Sequence, residues 1–159
     1  MERKAKNLSK KLFDILNGSG KTLSTAESCT SGQIAQTITA TSGASGYFVG
    51  GIVSYASRIK TQYLQVNASV IENQTAVCED VARQMVIGAC QAMGTDYAIA
   101  ATGFAGPGSE RGIPVGTIWI ACGTKDNVRT LMLSGDKGRE ANLHNATCQA
   151  LKLMIDYLS

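Results

Sequence analysis

The chain has 159 residues, of which 44% are hydrophobic and 17% charged, and its formal net charge is +3 at pH 7. This length suits one sizeable core, so we expect a single domain over residues 1–159. The longest apolar runs are too short to cross a bilayer, and a mild charge with only 6% aromatic residues argues against nucleic-acid binding.

The N-terminal stretch mixes basic and apolar residues and lacks the separate regions of a secretory signal, which predicts a cytoplasmic protein. Five cysteines stand singly along the chain without a C-x-x-C pair, and an odd count is not typical of a disulfide framework. We therefore expect no structural disulfides, no metal site and no cofactor.

Hydrophobic periodicity predicts helices and strands that alternate over the first two thirds of the chain. Apolar residues at helical spacing from Leu8 to Leu16 predict a first helix that ends near Gly18 and Gly20. The elements predicted after it are a strand over 21–26, a helix over 30–41, a strand over 47–55, a short helix from Ser57 to Leu64 and a helix over 76–93.

The last third predicts a strand over 97–101, a glycine-rich loop over 103–114, a hairpin of strands over 115–122 and 128–133, and a closing helix over 139–158. This order is typical of a mixed sheet between helix layers. Ligands in such folds bind beyond the carboxyl ends of the strands. Three loops compete for that position, over 27–32, 42–46 and 102–114.

Ser45, Tyr55 and Lys60 bring a hydroxyl, a phenol and an amine together within a short stretch of turn, strand and helix. A chain that reverses at Tyr55 can fold Lys60 back towards the loop that holds Ser45. The chain has one histidine, so a hydroxyl or thiol nucleophile needs another base, and a buried neutral lysine is the usual substitute. Taken singly, each of the three residues fits an ordinary structural role better, namely a turn serine, a strand-end tyrosine and a surface lysine.

The turn from Glu27 to Gly32 places small polar residues between a strand end and a helix start, where free N–H groups favour an anion. Ser28, Cys29 and Thr30 are candidates for binding it. Cys29 is also a second candidate nucleophile, because a helix N-terminus lowers the pKa of a thiol. Small helix caps and a buried cysteine are the ordinary structural interpretation of the same residues.

Thr102 and Gly103 open the glycine-rich loop, whose backbone N–H groups suit a phosphate or an oxyanion. Arg139, at the start of the last helix, can bind a phosphate in a bidentate manner. The alternatives are a simple connecting loop and a surface arginine paired with Asp136 or Glu140.

Five segments in order resemble the CinA C-terminal domain family, and together they span nearly the whole chain. They are TAESCTSG from Thr25, GASGYFVGGIVSYASRIKTQYLQV from Gly43, AVCEDVARQM from Ala76, ATGFAGPGSERGIPVGTIW from Ala101 and SGDKGREA from Ser134. The resemblance implies a three-layer α/β/α fold with a mixed, mostly parallel five-stranded sheet. It also implies metal-independent hydrolysis of the carboxamide of nicotinamide mononucleotide, with a pyridine nucleotide as the small-molecule partner and a homodimer as the assembly.

Carried onto this chain, the resemblance makes Ser45 the nucleophile, with Lys60 and Tyr55 as its activating partners. The substrate-binding residues that we expect are Ser28, Cys29, Thr30, Thr102, Gly103 and Arg139. Two departures from the family pattern, Ser31 in place of a glycine and Leu143 or His144 in place of a second basic residue, leave open a catalytically lapsed domain. Such a domain would bind a nucleotide or a protein partner without turnover.

Overall fold

The structure is a computed structural model that describes residues 2–159. One five-stranded sheet lies between two layers of α-helices. The strands are β1 (Leu23–Glu27), β2 (Phe48–Val53), β3 (Tyr97–Gly103), β4 (Ile118–Gly123) and β5 (Val128–Leu133). The α-helices are α1 (Arg3–Leu16), α2 (Gln33–Thr39), α3 (Ser57–Leu64), α4 (Ala68–Gln74), α5 (Glu79–Met93) and α6 (Arg139–Leu158), and a single 3₁₀ turn spans Ala44–Gly46.

The sheet has the strand order β2-β1-β3-β4-β5, which confirms the expected mixed and mostly parallel arrangement. β1 pairs in parallel with β2 and β3, and β4 runs antiparallel to both of its neighbours. β5 therefore points the same way as the first three strands. Glu27 pairs with Val53 on one side and Ala101 on the other, so the carboxyl ends of β1, β2 and β3 meet at one edge of the sheet.

Alternation along the strands separates two cores. Ile99 and Ala101 of β3 face the layer of α1, α2 and α6, whereas Ala98 and Ala100 face α5. The fully buried apolar strand residues on the α5 side are all alanines, namely Ala26, Ala98, Ala100 and Ala121. Small side chains on the strands let α5 lie close to the sheet.

Helix α4 is missing from the sequence prediction because its seven residues are too few to show a helical period and none of them is fully buried. Its start is set instead by the side chain of Asn67, which accepts a hydrogen bond of 2.9 Å from the Ser69 N–H. α5 begins at Glu79, three residues later than predicted, and β2 ends at Val53, so that Tyr55 lies beyond the strand. No helix within residues 2–159 has both the length and the apolar character that a bilayer span requires.

Gly88 lies in the middle of α5, and its replacement by alanine is predicted to destabilise the protein, whereas the same change in most helices is stabilising. Replacement of a helical glycine by alanine usually raises the free energy of unfolding by about 0.5–1 kcal/mol. At Gly88, however, the added Cβ would overlap the carbonyl oxygen of Leu64 at the end of α3. We expect Gly88→Ala to lower the free energy of unfolding by about 1–3 kcal/mol, measured by chemical denaturation. Gly50→Ala is the matched control, because its Cβ would make only an ordinary contact with Met93. Equal stability of Gly88→Ala and the wild type would contradict this account of the α3–α5 contact.

Candidate active site

Lys60 is fully buried at the carboxyl edge of the sheet, with 1% of its surface exposed. After β2 the chain reverses at Tyr55, and α3 returns the lysine to the end of β1. Its Nζ donates to Ser28 Oγ at 2.8 Å, to the carbonyl oxygen of Ser54 at 2.6 Å and to that of Tyr55 at 3.2 Å. Burial lowers the pKa of the Lys60 ammonium to about 8, because the charged form loses its hydration. The nearby Cys29 opposes this shift only in part.

Ser28 is the first residue after β1, and its position is set by backbone hydrogen bonds. Its N–H donates to the carbonyl oxygen of Ala101 at 2.9 Å, and its own carbonyl accepts from the Ser31 N–H at 3.1 Å. Ser31 has a φ of 49°, a left-handed conformation that glycine adopts without strain and that is uncommon for other residues. The tight turn is therefore retained with serine at a position where the resembling family has glycine.

Glu27 supplies the acceptor around which this turn is built. Its buried carboxylate accepts from Thr30 Oγ1 at 2.7 Å and from the N–H groups of Gly32 at 3.1 Å, Ile34 at 2.9 Å and Ala35 at 3.0 Å. The free N–H groups at the start of α2 are thus used by a side chain of the protein itself. The anion site predicted for this helix start is occupied by Glu27, and Thr30 serves the turn and does not line the pocket described below.

Ser45 does not meet Lys60, and this expectation from the sequence is wrong. Ser45 lies exposed in the 3₁₀ turn that precedes β2, beside the Leu23 end of β1. Lys60 lies beyond the opposite end of β2, and a six-residue strand spans about 17 Å between its first and last residues. The chain does reverse after β2 as predicted, but the hydroxyl that it brings to the lysine is that of Ser28.

Tyr55 and Arg139 meet at the rim of the site. The Arg139 Nη2 group lies 3.4 Å from the Tyr55 hydroxyl, and its Nη1 donates to the carbonyl oxygen of Gly106 at 2.8 Å. Tyr55 is 60% exposed and contacts Lys60 through its backbone carbonyl, whereas its phenol points to the arginine. A guanidinium held by one carbonyl keeps further N–H donors for a ligand.

Asn142, which the sequence interpretation does not single out, ties the glycine-rich loop to α6. Its side-chain amide donates to the carbonyl oxygen of Ala105 at 3.0 Å and to Asp136 Oδ1 at 2.9 Å. Its Oδ1 accepts from the Lys137 N–H at 2.9 Å. Asn142 stands at the same four-residue spacing as the buried apolar residues that follow it in α6. Its position in the sequence therefore does not mark it as a residue of the site.

Cys29 is buried beside Lys60 and does not have the properties of a nucleophile. Burial raises the pKa of its thiol to about 11, and the positive charge of Lys60 offsets this only in part. α2 begins at Gln33, four residues further along, and Glu27 neutralises its N-terminus. The free helix N-terminus that predicts an activated thiol from the sequence is therefore absent at this position.

A pocket of about 450 Å³ opens above Ser28 and Lys60. Seven of the nine predicted site residues line it, and the two that do not are Thr30 and Ser45. The seven are Ser28, Cys29, Tyr55, Lys60, Thr102, Gly103 and Arg139. The hydroxyl of Thr102 donates to the carbonyl oxygen of Ala76 at 2.8 Å, so its polar atom supports the wall of the pocket. Arg111, on the glycine-rich loop, adds a second guanidinium that the sequence interpretation does not identify.

Comparison with known proteins places the whole chain in one family. The family model described as the CinA C-terminal domain matches residues 5–158. A CinA-like protein of Picosynechococcus is 41% identical over 149 residues, which cover 91% of this chain and 36% of the relative. The chain spans about a third of the length of this and similar curated relatives. A shorter relative, the nicotinamide-nucleotide amidohydrolase PncC of Escherichia coli, is 38% identical over 92% of this chain and 90% of its own length.

Solved structures show the same fold. The competence damage-inducible protein A of Klebsiella pneumoniae superposes with a TM-score of 0.93 at 31% identity, over 97% of this chain and 96% of that protein. A competence/damage-inducible protein of Agrobacterium tumefaciens gives a TM-score of 0.94 at 31% identity, over 98% and 96% of the two chains. The three-layer α/β/α expectation is thereby confirmed.

The four hydrogen bonds to Glu27 predict that Glu27→Gln destabilises the fold. A glutamine of the same shape replaces one acceptor oxygen by a donor, so at least one buried N–H or hydroxyl loses its partner and the remaining bonds lose their charge. We expect the free energy of unfolding to fall by about 2–3 kcal/mol, measured by urea denaturation. Glu72→Gln, on the exposed surface of α4, is the control and should change stability by less than about 0.5 kcal/mol. A Glu27→Gln protein as stable as this control would contradict the assignment.

Proposed function

The chain belongs to the CinA C-terminal domain family, and from this premise we propose that it is an amidohydrolase that converts nicotinamide mononucleotide to nicotinate mononucleotide and ammonia. The activity for which the PncC relative is named supports the substrate class. The single observation that carries the chemistry is the buried hydrogen bond of 2.8 Å between Lys60 Nζ and Ser28 Oγ. A hydroxyl paired with a desolvated amine is a nucleophile with its base in place.

Ser28 replaces Ser45 as the proposed nucleophile, and Lys60 keeps its role as the base. A neutral lysine amine has two N–H donors and one lone pair. The carbonyl oxygens of Ser54 and Tyr55 accept the two donors, which leaves the lone pair directed to the Ser28 hydroxyl. Deprotonation of Lys60 therefore only reverses the direction of one hydrogen bond, and the geometry of the pair is conserved.

In the first half of the reaction, Ser28 Oγ forms a bond to the carboxamide carbon while its proton moves to Lys60 Nζ. The carbon–nitrogen bond then breaks, and Lys60 returns that proton to the leaving nitrogen, which departs as ammonia. In the second half, water adds to the acyl carbon and gives a proton to Lys60. The ester bond to Ser28 breaks, the serine regains its proton, and the carboxylate product leaves.

Arg139 is the proposed contact for the phosphate of the nucleotide. Its guanidinium lies at the rim of the pocket, is oriented by the carbonyl oxygen of Gly106 and contacts the Tyr55 hydroxyl. Arg111 on the same rim gives a second positive charge. A pocket of about 450 Å³ falls within the range of typical small-molecule sites.

The homodimer, the cytoplasmic location and the single-domain organisation stay predictions of the sequence.

Ammonia release from nicotinamide mononucleotide tests the function and the choice of nucleophile together. We expect Ser28→Ala to lower kcat/KM by on the order of 10³-fold or more, because it removes the attacking atom. Ser45→Ala is the matched control, because Ser45 and Lys60 lie at opposite ends of β2. Its kcat/KM should stay within about twofold of the wild-type value. Full activity of Ser28→Ala would overturn the mechanism. Nucleotide binding without ammonia release in the wild type would favour the lapsed domain and overturn the function.

The pKa of Lys60 predicts the pH dependence of the reaction. With a value of about 8, roughly a tenth of the lysine is neutral at pH 7 and roughly nine tenths at pH 9. Since the neutral amine is the base, kcat/KM should rise about tenfold between these pH values and level off above them. The measurement is the pH profile of initial rates, with folding at each pH checked by circular dichroism. A profile that is flat or that falls over this interval would rule out Lys60 as the base.

A further inference from the structure

Three side chains with metal-binding atoms converge where the start of α1 meets α6. Glu2 immediately precedes α1, and His144 and Cys148 lie one turn apart on α6. The carboxylate oxygen, the imidazole nitrogen and the sulfur all lie within 4.8 Å of one another. None of the three residues lines the pocket that contains Ser28 and Lys60. Their convergence is therefore not explained by the proposed hydrolysis.

We propose that Glu2, His144 and Cys148 together bind one divalent transition-metal ion of the zinc type. One thiolate, one imidazole and one carboxylate form a donor set that suits Zn²⁺. Mg²⁺ and Ca²⁺ are not suited, because these hard ions take oxygen ligands. Two of the ligands come from an i, i+4 pair on one helix face, and the third comes from the other end of the chain. The ion would thus connect α1 to α6.

The geometry of the helical pair fits such an ion. Cys148 Sγ and His144 Nε2 are 3.6 Å apart. A tetrahedral ion with a metal–sulfur bond of about 2.3 Å and a metal–nitrogen bond of about 2.05 Å separates the two ligand atoms by about 3.6 Å. The Glu2 carboxylate contacts the same Nε2 atom of His144, so all three ligand atoms surround one small volume. An ion there requires only that Glu2 withdraw slightly from the imidazole.

Exposure and charge define the chemistry of the site. Cys148 is buried, whereas the side chains of His144 and Glu2 are 43% and 51% exposed, so solvent reaches the outer side of the trio. A water molecule can therefore take the fourth ligand position. The carboxylate and a thiolate balance the two positive charges of the ion. The positive charge of Lys4 also interacts electrostatically with Cys148. The expected role is a cross-link that stabilises the packing of α1 on α6, because its ligands come from the start of α1 and from α6.

Titration of the untagged, reduced and metal-free protein with Co²⁺ tests the proposal. We expect one ion per chain, a sulfur-to-cobalt charge-transfer band in the near ultraviolet, and displacement of the cobalt by Zn²⁺. Cys148→Ala should abolish the band, and His144→Gln and Glu2→Gln should each weaken binding at least about tenfold, since loss of even an outer-shell partner costs 10–100-fold. Cys78→Ala is the matched control, because Cys78 is a free and more accessible thiol that lies outside the trio. It should bind cobalt as the wild type does.

A stability measurement keeps the test decisive if Cys148→Ala folds poorly. Zn²⁺ bound to the folded protein raises its thermal midpoint, and we expect this rise in the wild type but not in His144→Gln, whose side chain is partly exposed and tolerates the change. The proposal is overturned if cobalt binds without a charge-transfer band or if the band persists in Cys148→Ala. It is likewise overturned if Zn²⁺ stabilises His144→Gln as much as the wild type.

Discussion

The carboxylate of Glu27 is the constraint on which the site depends. A buried carboxylate without partners is very costly, and Glu27 meets this cost with four hydrogen bonds, three of them from backbone N–H groups. Those bonds close the turn between β1 and α2 and leave few conformations to the residues inside it. Ser28 is the first of them, so the position of the proposed nucleophile follows from a neighbour that takes no part in the chemistry.

Lys60 depends on a second constraint, which is the close approach of α5 to the sheet. The alanine surface of β1, β3 and β4 allows α5 to pack tightly, and Gly88 lets α5 approach the end of α3 at Leu64. This packing keeps α3 over the carboxyl edge of the sheet and excludes water from its lysine. The small residues beneath and within α5 thus favour the depressed pKa of Lys60, because burial is the largest cause of the shift.

Much of the fold can be predicted from the sequence, because periodicity and turn residues act locally. The helices that carry apolar stripes and the strands rich in β-branched residues are recognised in this way, whereas α4 is not, since a helix of seven residues is too short to show a helical period. The burial of Lys60 can be predicted, because the lysine comes just after a chain reversal at a strand end. The sequence does not predict which serine contacts this lysine. That choice depends on the parallel pairing of β1 with β2, which puts Ser28 beside the lysine and Ser45 about a strand length away.

The same limit applies to the metal trio. A search for paired cysteines excludes most zinc sites, but His144 and Cys148 are four residues apart on a helix and their third partner, Glu2, lies at the opposite end of the chain. Only the packing of α1 against α6 joins them. Arg139 begins the same helix, five residues before His144, which corresponds to about 7.5 Å along the axis. Between them, Asn142 binds Ala105 and Asp136 and fixes the first turn of α6 independently of any ion. The proposed phosphate contact and the proposed cross-link therefore share one helix and rely on separate supports, so that removal of the ion would loosen α1 without displacing Arg139.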